Sequence, residues 1–120
     1  MGAGERRKGA RAEVEVYHHL HEVLGDLVSK RDLSQARDRG GDLRIPRARV
    51  VVEVKRTQSR SVPAWLRQSA ASALQRGKTW TGAVAWRPDR ADWRYFLPAR
   101  DGYRTLTLEE FVQWVTARLR

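Results

Sequence analysis

The chain has 120 residues, 41% of them hydrophobic, with 24 Lys and Arg against 14 Asp and Glu for a net charge of +10. That suits one domain, residues 1–120, with a single core. The absence of cysteine excludes disulfides, a thiolate zinc site and a thiol nucleophile. No apolar run approaches membrane-spanning length, so no membrane association is expected. The basic start MGAGERRKGAR is followed by no apolar signal segment, which predicts a soluble, cytoplasmic protein. The cations are almost all arginine, whose planar fork suits phosphate oxygens. A domain this basic predicts a polyanionic partner, nucleic acid foremost, against the plainer reading of arginine-rich codon usage.

In chain order, residues 1–8 read as a loose basic arm. Helical spacing of Val16, Leu20, Val23 and Leu24 predicts a first helix from Gly9, stopped by Gly25. Leu27 to Lys30 suits a short strand, and RDLSQARDRGG (31–41) a polar loop. Asp42 to Ile45 suits a strand closed by Pro46, and RVVVEVKR (49–56) is the strongest strand signal. Ser61 and Pro63 open a second helix whose apolar side holds Val62, Leu66, Ala70, Ala73 and Leu74, ending at Gly77. Thr81 to Trp86 and Trp93 to Leu97 suit two strands joined through Pro88, Asp89 and Arg90, with Trp86 and Trp93 as neighbours across the hairpin. Thr107 and Glu110 form a capping box for a last helix bearing Leu108, Phe111, Val112, Val115 and Leu119. The order α-β-β-β-α-β-β-α predicts an α/β fold, one mixed sheet flanked by helices.

Chemistry concentrates on the strand Val50 to Lys55. Side chains alternate, so Val51, Glu53 and Lys55 share one face and Val50, Val52 and Val54 the other. Consecutive valines predict burial on both faces. A charge inside such a strand needs a partner or a metal, because burying an ion costs several kcal/mol; the plain alternative is an exposed pair at a strand end. Gly40-Gly41-Asp42 lies upstream, placed to start the neighbouring antiparallel strand. Two carboxylates on adjacent strands with a lysine beside the second make a site for Mg²⁺, which takes a few hard oxygens and keeps waters. The lysine would polarise an attacking water or stabilise the transition state.

Asp42 followed by Glu53-Val54-Lys55 resembles the PD-(D/E)xK nuclease signature, with Gly41 where proline is usual. The longer string KGARAEVEVYHHLHEVLG, RGGDLRIP, VVVEVKR and WLRQ resembles archaeal-type Holliday junction resolvases and their phage-encoded relatives, over roughly residues 8–76. The resemblance implies a restriction-endonuclease-like sheet and a Mg²⁺-dependent endonuclease, with Mn²⁺ able to substitute. It further implies a homodimer that would resolve four-way DNA junctions by paired cuts, in the host-cell cytoplasm if phage-encoded. Asp42, Glu53 and the Val54 carbonyl would hold the metal, and Lys55 would be catalytic. The family also carries a glutamate on its first helix. Glu13 continues the Val16 and Leu20 stripe whereas Glu15 falls on the outer side with His19 and Glu22, so the role goes to Glu13; a helix-start carboxylate favoured by the macrodipole is the competing reading. Gln68 matches a family glutamine that would hold a water or phosphate oxygen, or else is a solvated helix residue. Ser34 sits where relatives have a functional serine, although its flanks diverge. Arg6, Arg7, Lys8 and Arg11, with Arg37, Arg39 and Arg56, would contact phosphates.

His18, His19 and His21 read as solvated helix residues rather than a zinc site. Trp65, Trp80, Trp86, Trp93 and Trp114 read as core or interface anchors before base-stacking platforms. Other readings on the same residues are a nicking, flap or mismatch endonuclease, a catalytically degenerate DNA-binding protein, and an assembly subunit contacting RNA.

Overall fold

The computed structural model describes the backbone of residues 3–30 and 43–119 and the side chains of 11–29 and 43–119. Three helices pack on a six-stranded mixed sheet. Helix α1 (Ala3–Leu24) precedes strands β1 (Ser29–Lys30), β2 (Leu43–Ile45) and β3 (Val50–Lys55); helix α2 (Val62–Arg76) leads to β4 (Thr81–Trp86), β5 (Arg94–Ala99) and β6 (Gly102–Leu106); helix α3 (Leu108–Arg118) closes the fold. The strands lie in chain order across the sheet. Only β3 and β4 run parallel, and α2 is the crossover that a parallel pair needs.

Two elements differ from the sequence expectation. Helix α1 starts at Ala3, inside the segment read as an arm. An additional strand, β6, forms a hairpin with β5; its burial pattern is exposed until Leu106, so it lacks the apolar alternation that announces a strand.

Each face of β3 meets a different layer. Val50 and Val52 join Ala83, Ala85, Tyr95 and Leu97 in the main core, covered by Ala12, Val16 and Leu20 of α1 and Phe111 and Val115 of α3. Ala12, Val16 and Leu20 follow an i, i+4 row, so α1 lies along the sheet with one stripe inward. Val23, on the same stripe, is 57% exposed. Helix α3 starts with the capping box: Glu110 N–H donates to Thr107 Oγ1 at 3.2 Å and Thr107 N–H donates to Glu110 Oε1 at 2.9 Å. Phe111 then stacks on Tyr95 with centroids 4.6 Å apart. Both rings are fully buried, contributing about 1.5–3 kcal/mol each.

The opposite face belongs to α2. Its inward row is Val62, Ser69, Ser72 and Ala73, with Trp65 and Leu66 half-buried. Leu74, expected inside, is 66% exposed, and Ala70 is exposed. The helix is turned toward its serines because each finds a partner: Ser69 Oγ donates to the Ala83 carbonyl at 2.8 Å and Ser72 Oγ to Glu53 Oε1 at 3.1 Å. Gly82 permits this closeness, since a Cβ there would lie 2.4 Å from the Ser69 carbonyl carbon. Trp86 and Trp93 are not neighbours across the β4–β5 hairpin. Trp86 pairs with Arg94 and packs with Val84 and Phe96 under α2, while Trp93 joins the core under α1.

Candidate active site

Glu53 and Lys55 stand on the α2 face of β3, two residues apart and therefore about 6.6 Å along the strand. Gln68 and Ser72 stand one turn apart on α2, about 6 Å along its axis. The two spacings match, and the side chains pair in opposite directions. Ser72 Oγ donates to Glu53, and Lys55 Nζ donates to Gln68 Oε1 at 2.9 Å. Glu53 is 5% exposed, the only buried carboxylate among the described residues. Lys55, one step nearer the strand end, is half-buried, and Gln68 is exposed at the margin. The pairs thus grade from the interior to solvent along one strand.

Of the residues singled out in the sequence, the structure brings Glu53, Lys55 and Gln68 together. Ser72 was missed, and its signal was available: it lies at i+4 from Gln68, where it faces the same strand. Asp42, Ser34, Arg37 and Arg39 lie outside the described residues, as do the side chains of Arg6, Arg7 and Lys8, which fall on α1. Leu43, which follows Asp42 in sequence, pairs with Val52, the residue before Glu53. Backbone direction bears on Val54. The Arg49 and Lys55 carbonyls accept from the N–H groups of Thr81 and Arg87, towards β4. Alternation therefore turns the Val54 carbonyl the other way, towards the β2 side.

Glu13 is half-buried on α1, the helix over the other face of the sheet. Glu15 does not face outward as its helical position suggested. Its Oε1 accepts from Trp93 Nε1 at 2.6 Å, and it forms an ion pair with Arg87 at 3.4 Å. The β4–β5 connection brings both partners to the flank of α1, widening the arc of the helix that meets protein. A cleft of about 480 Å³ opens here, lined by Glu15, Arg87, Trp93 and the start of α3. Its acid and base are already engaged with each other, and it lies across the sheet from Glu53.

The remaining cations divide by partner. Arg11 is exposed. Arg56, only 14% exposed in its side chain, is ion-paired with Asp89 and donates to the Arg87 carbonyl at 3.5 Å, fixing the turn after β4. His18 is exposed, and His21 is stacked on Tyr17 at 5.4 Å. No group of three or more His, Asp or Glu side chains among the described residues is arranged to hold a metal. The Glu53 carboxylate and the Val54 carbonyl, on successive residues, are hard oxygens of the kind Mg²⁺ takes.

Fold and site together define an α/β domain whose mixed sheet carries one buried carboxylate and, two residues on, a lysine steered by a helix glutamine. No family model, no curated protein and no solved structure matches the chain. No helix among the described residues is long and apolar enough to cross a membrane.

Proposed function

We infer that the chain is a metal-dependent DNA endonuclease of the PD-(D/E)xK type, acting on branched DNA. The observation that carries this reading is Glu53. A carboxylate at 5% exposure in the middle of a valine strand, received by the hydroxyl of Ser72, is costly to keep in the interior for packing alone. A lysine on the same face, held at 2.9 Å by a glutamine rather than by a carboxylate, keeps its positive charge unneutralised by that partner. Carboxylate, lysine and a strongly basic surface together suit phosphodiester hydrolysis better than stability alone.

In this reading Glu53 and the Val54 carbonyl hold a divalent ion with Asp42, while Glu13, on the helix over the other face of the sheet, is left out of the ligand set. The ion would supply Lewis-acid activation of the scissile phosphate and its attacking water. Ser72 fixes the rotamer of Glu53, so that its carboxylate is directed before metal arrives. Gln68 holds Lys55 along the sheet, aiming the ammonium at the charge that develops on the phosphate. The four-way junction implied by the resemblance calls for two such sites in a homodimer, one per strand. The test is cleavage of labelled junction, flap and duplex DNA with Mg²⁺ or Mn²⁺, by the parent and by Glu53→Gln. Metal-dependent cleavage abolished by Glu53→Gln is expected; metal-independent cleavage, or none on any substrate, would reject the reading.

A further inference from the structure

Beside the site, on the same face of the sheet, lies a group of rings that packing alone does not account for. The register puts Lys55 opposite Trp86 on β4. It also puts Glu53, Val84, Phe96 and Thr105 in one row across four strands. Trp86 therefore follows Lys55 on the α2 side, one strand spacing away, or about 4.8 Å. Trp65 from the first turns of α2 meets Trp86 at 6.0 Å, and Tyr103 on β6 meets Phe96 edge-on at 5.6 Å. Over them stands Arg60, its guanidinium 5.5 Å from the Trp86 ring, 5.2 Å from Phe96 and 6.0 Å from Tyr103. Arg60 also donates to the Tyr103 hydroxyl at 3.3 Å. Arg60 is exposed, Trp65 and Trp86 are half-buried, and Tyr103 is 38% exposed on the edge strand.

We propose that Arg60, Trp86 and Tyr103 form a platform for an unpaired nucleotide of the DNA strand that enters the Lys55 site. The inference rests on the nuclease reading and adds to it that the strand cut at the branch presents an unpaired nucleotide next to the scissile phosphate. Bases within a duplex are stacked on each other and offer no free face. An unpaired base offers two, and aromatic rings with an interleaved guanidinium accept it whatever its identity. Charge complementarity supports a nucleic-acid occupant: Lys55 and Arg60 bracket the indole of Trp86, and Arg67 is exposed on the adjoining turn of α2. Trp65 and Phe96 are explained as packing. A half-exposed tyrosine hydrogen-bonded to an exposed arginine on an edge strand is not, since it leaves a cation–aromatic surface open beside a cationic site.

The test measures binding without metal, by fluorescence anisotropy, of labelled oligo(dT), of a duplex with a single-stranded overhang, and of a blunt duplex. The oligonucleotide and overhang are expected to bind more tightly than the blunt duplex at equal salt. Tyr103→Leu, which keeps an apolar side chain, and Arg60→Lys, which keeps the charge, should each weaken single-strand binding by about tenfold, the scale of one base stack. Tyr103→Phe should retain it. Circular dichroism melting of each variant separates loss of the platform from loss of the fold. Equal affinity for all three DNAs, or single-strand binding indifferent to both Tyr103→Leu and Arg60→Lys, would overturn the proposal while leaving Glu53-dependent cleavage intact. Platform-dependent binding by a protein that cleaves nothing would instead reject the nuclease reading and keep this site.

Discussion

Glu53 and Tyr95 are both buried polar groups, and they are treated differently. Glu53 has Ser72 as a donor, whereas the Tyr95 hydroxyl has no hydrogen-bond partner among the described residues. Glu53→Gln keeps the size and removes the charge, so thermal stability should hold or rise while cleavage falls by orders of magnitude. Paired melting and single-turnover measurements check both halves, and a purely structural Glu53 would show the reverse. Ser72→Ala takes a hydrogen bond from a buried carboxylate and should cost about 1.5–3 kcal/mol in chemical denaturation. At Tyr95 burial comes first and the Glu15 carboxylate second; both push the phenol above its ordinary value of 10.0. The unfolded chain then loses that proton at lower pH than the folded one. The stability this contributes is complete below about pH 10 and declines as pH rises above it. Tyr95→Phe should flatten that alkaline decline, and should stabilise the protein at neutral pH by removing an unsatisfied hydroxyl; urea melts at several pH values give the comparison.

The element that sets the site is α2, and its seat is Gly82. A methyl there would meet the Ser69 backbone at 2.4–2.5 Å, so Gly82→Ala has to lift the helix off β4. The expected result is a lower melting temperature together with lost cleavage, because the Ser72 and Gln68 contacts move with the helix. Thr107→Ala, at the start of α3, should cost about 1 kcal/mol from the lost cap without touching cleavage. These two elements also show what the sequence made legible. The capping box was readable because both of its bonds are local and fixed by residue type. The faces of β3 were readable from alternation, which placed Glu53 and Lys55 together. The face of α2 was not readable from hydropathy, since Ser69 and Ser72 point inward for hydrogen bonds with distant strands and Leu74 points out. Glu15 was misplaced for the same kind of reason: its partners Arg87 and Trp93 come from a connection far along the chain. Strand β6 escaped because an edge strand with one mostly exposed face carries little apolar pattern.

At the scale of the whole molecule, Phe111 and Val115 are fully buried against the sheet and Trp114 is stacked on Phe111. Helix α3 therefore uses its large apolar residues within the chain, and the proposed dimer has the symmetry of its substrate as its argument. Charge yields a sharper expectation. A net charge of +10 on 120 residues should make DNA binding strongly salt-dependent, with a log–log slope of about −0.9 for each duplex phosphate neutralised. The structure predicts which cations carry that slope. Arg56 is engaged with Asp89, Arg87 with Glu15, and Arg118 with the Ala48 carbonyl at 2.8 Å. Replacing these three with alanine should lower stability and leave the slope nearly unchanged. Arg11 and Arg67 are exposed, so alanine there should shrink the slope by about 0.9 each while melting stays put. Deleting residues 1–7, which hold Arg6 and Arg7, should shrink it further. Anisotropy titrations of one labelled junction between 50 and 200 mM salt, with the variants side by side, test the division. A slope that falls equally for Arg56→Ala and Arg67→Ala would show that the ion pairs open on DNA and that the surface charge acts as one undivided field.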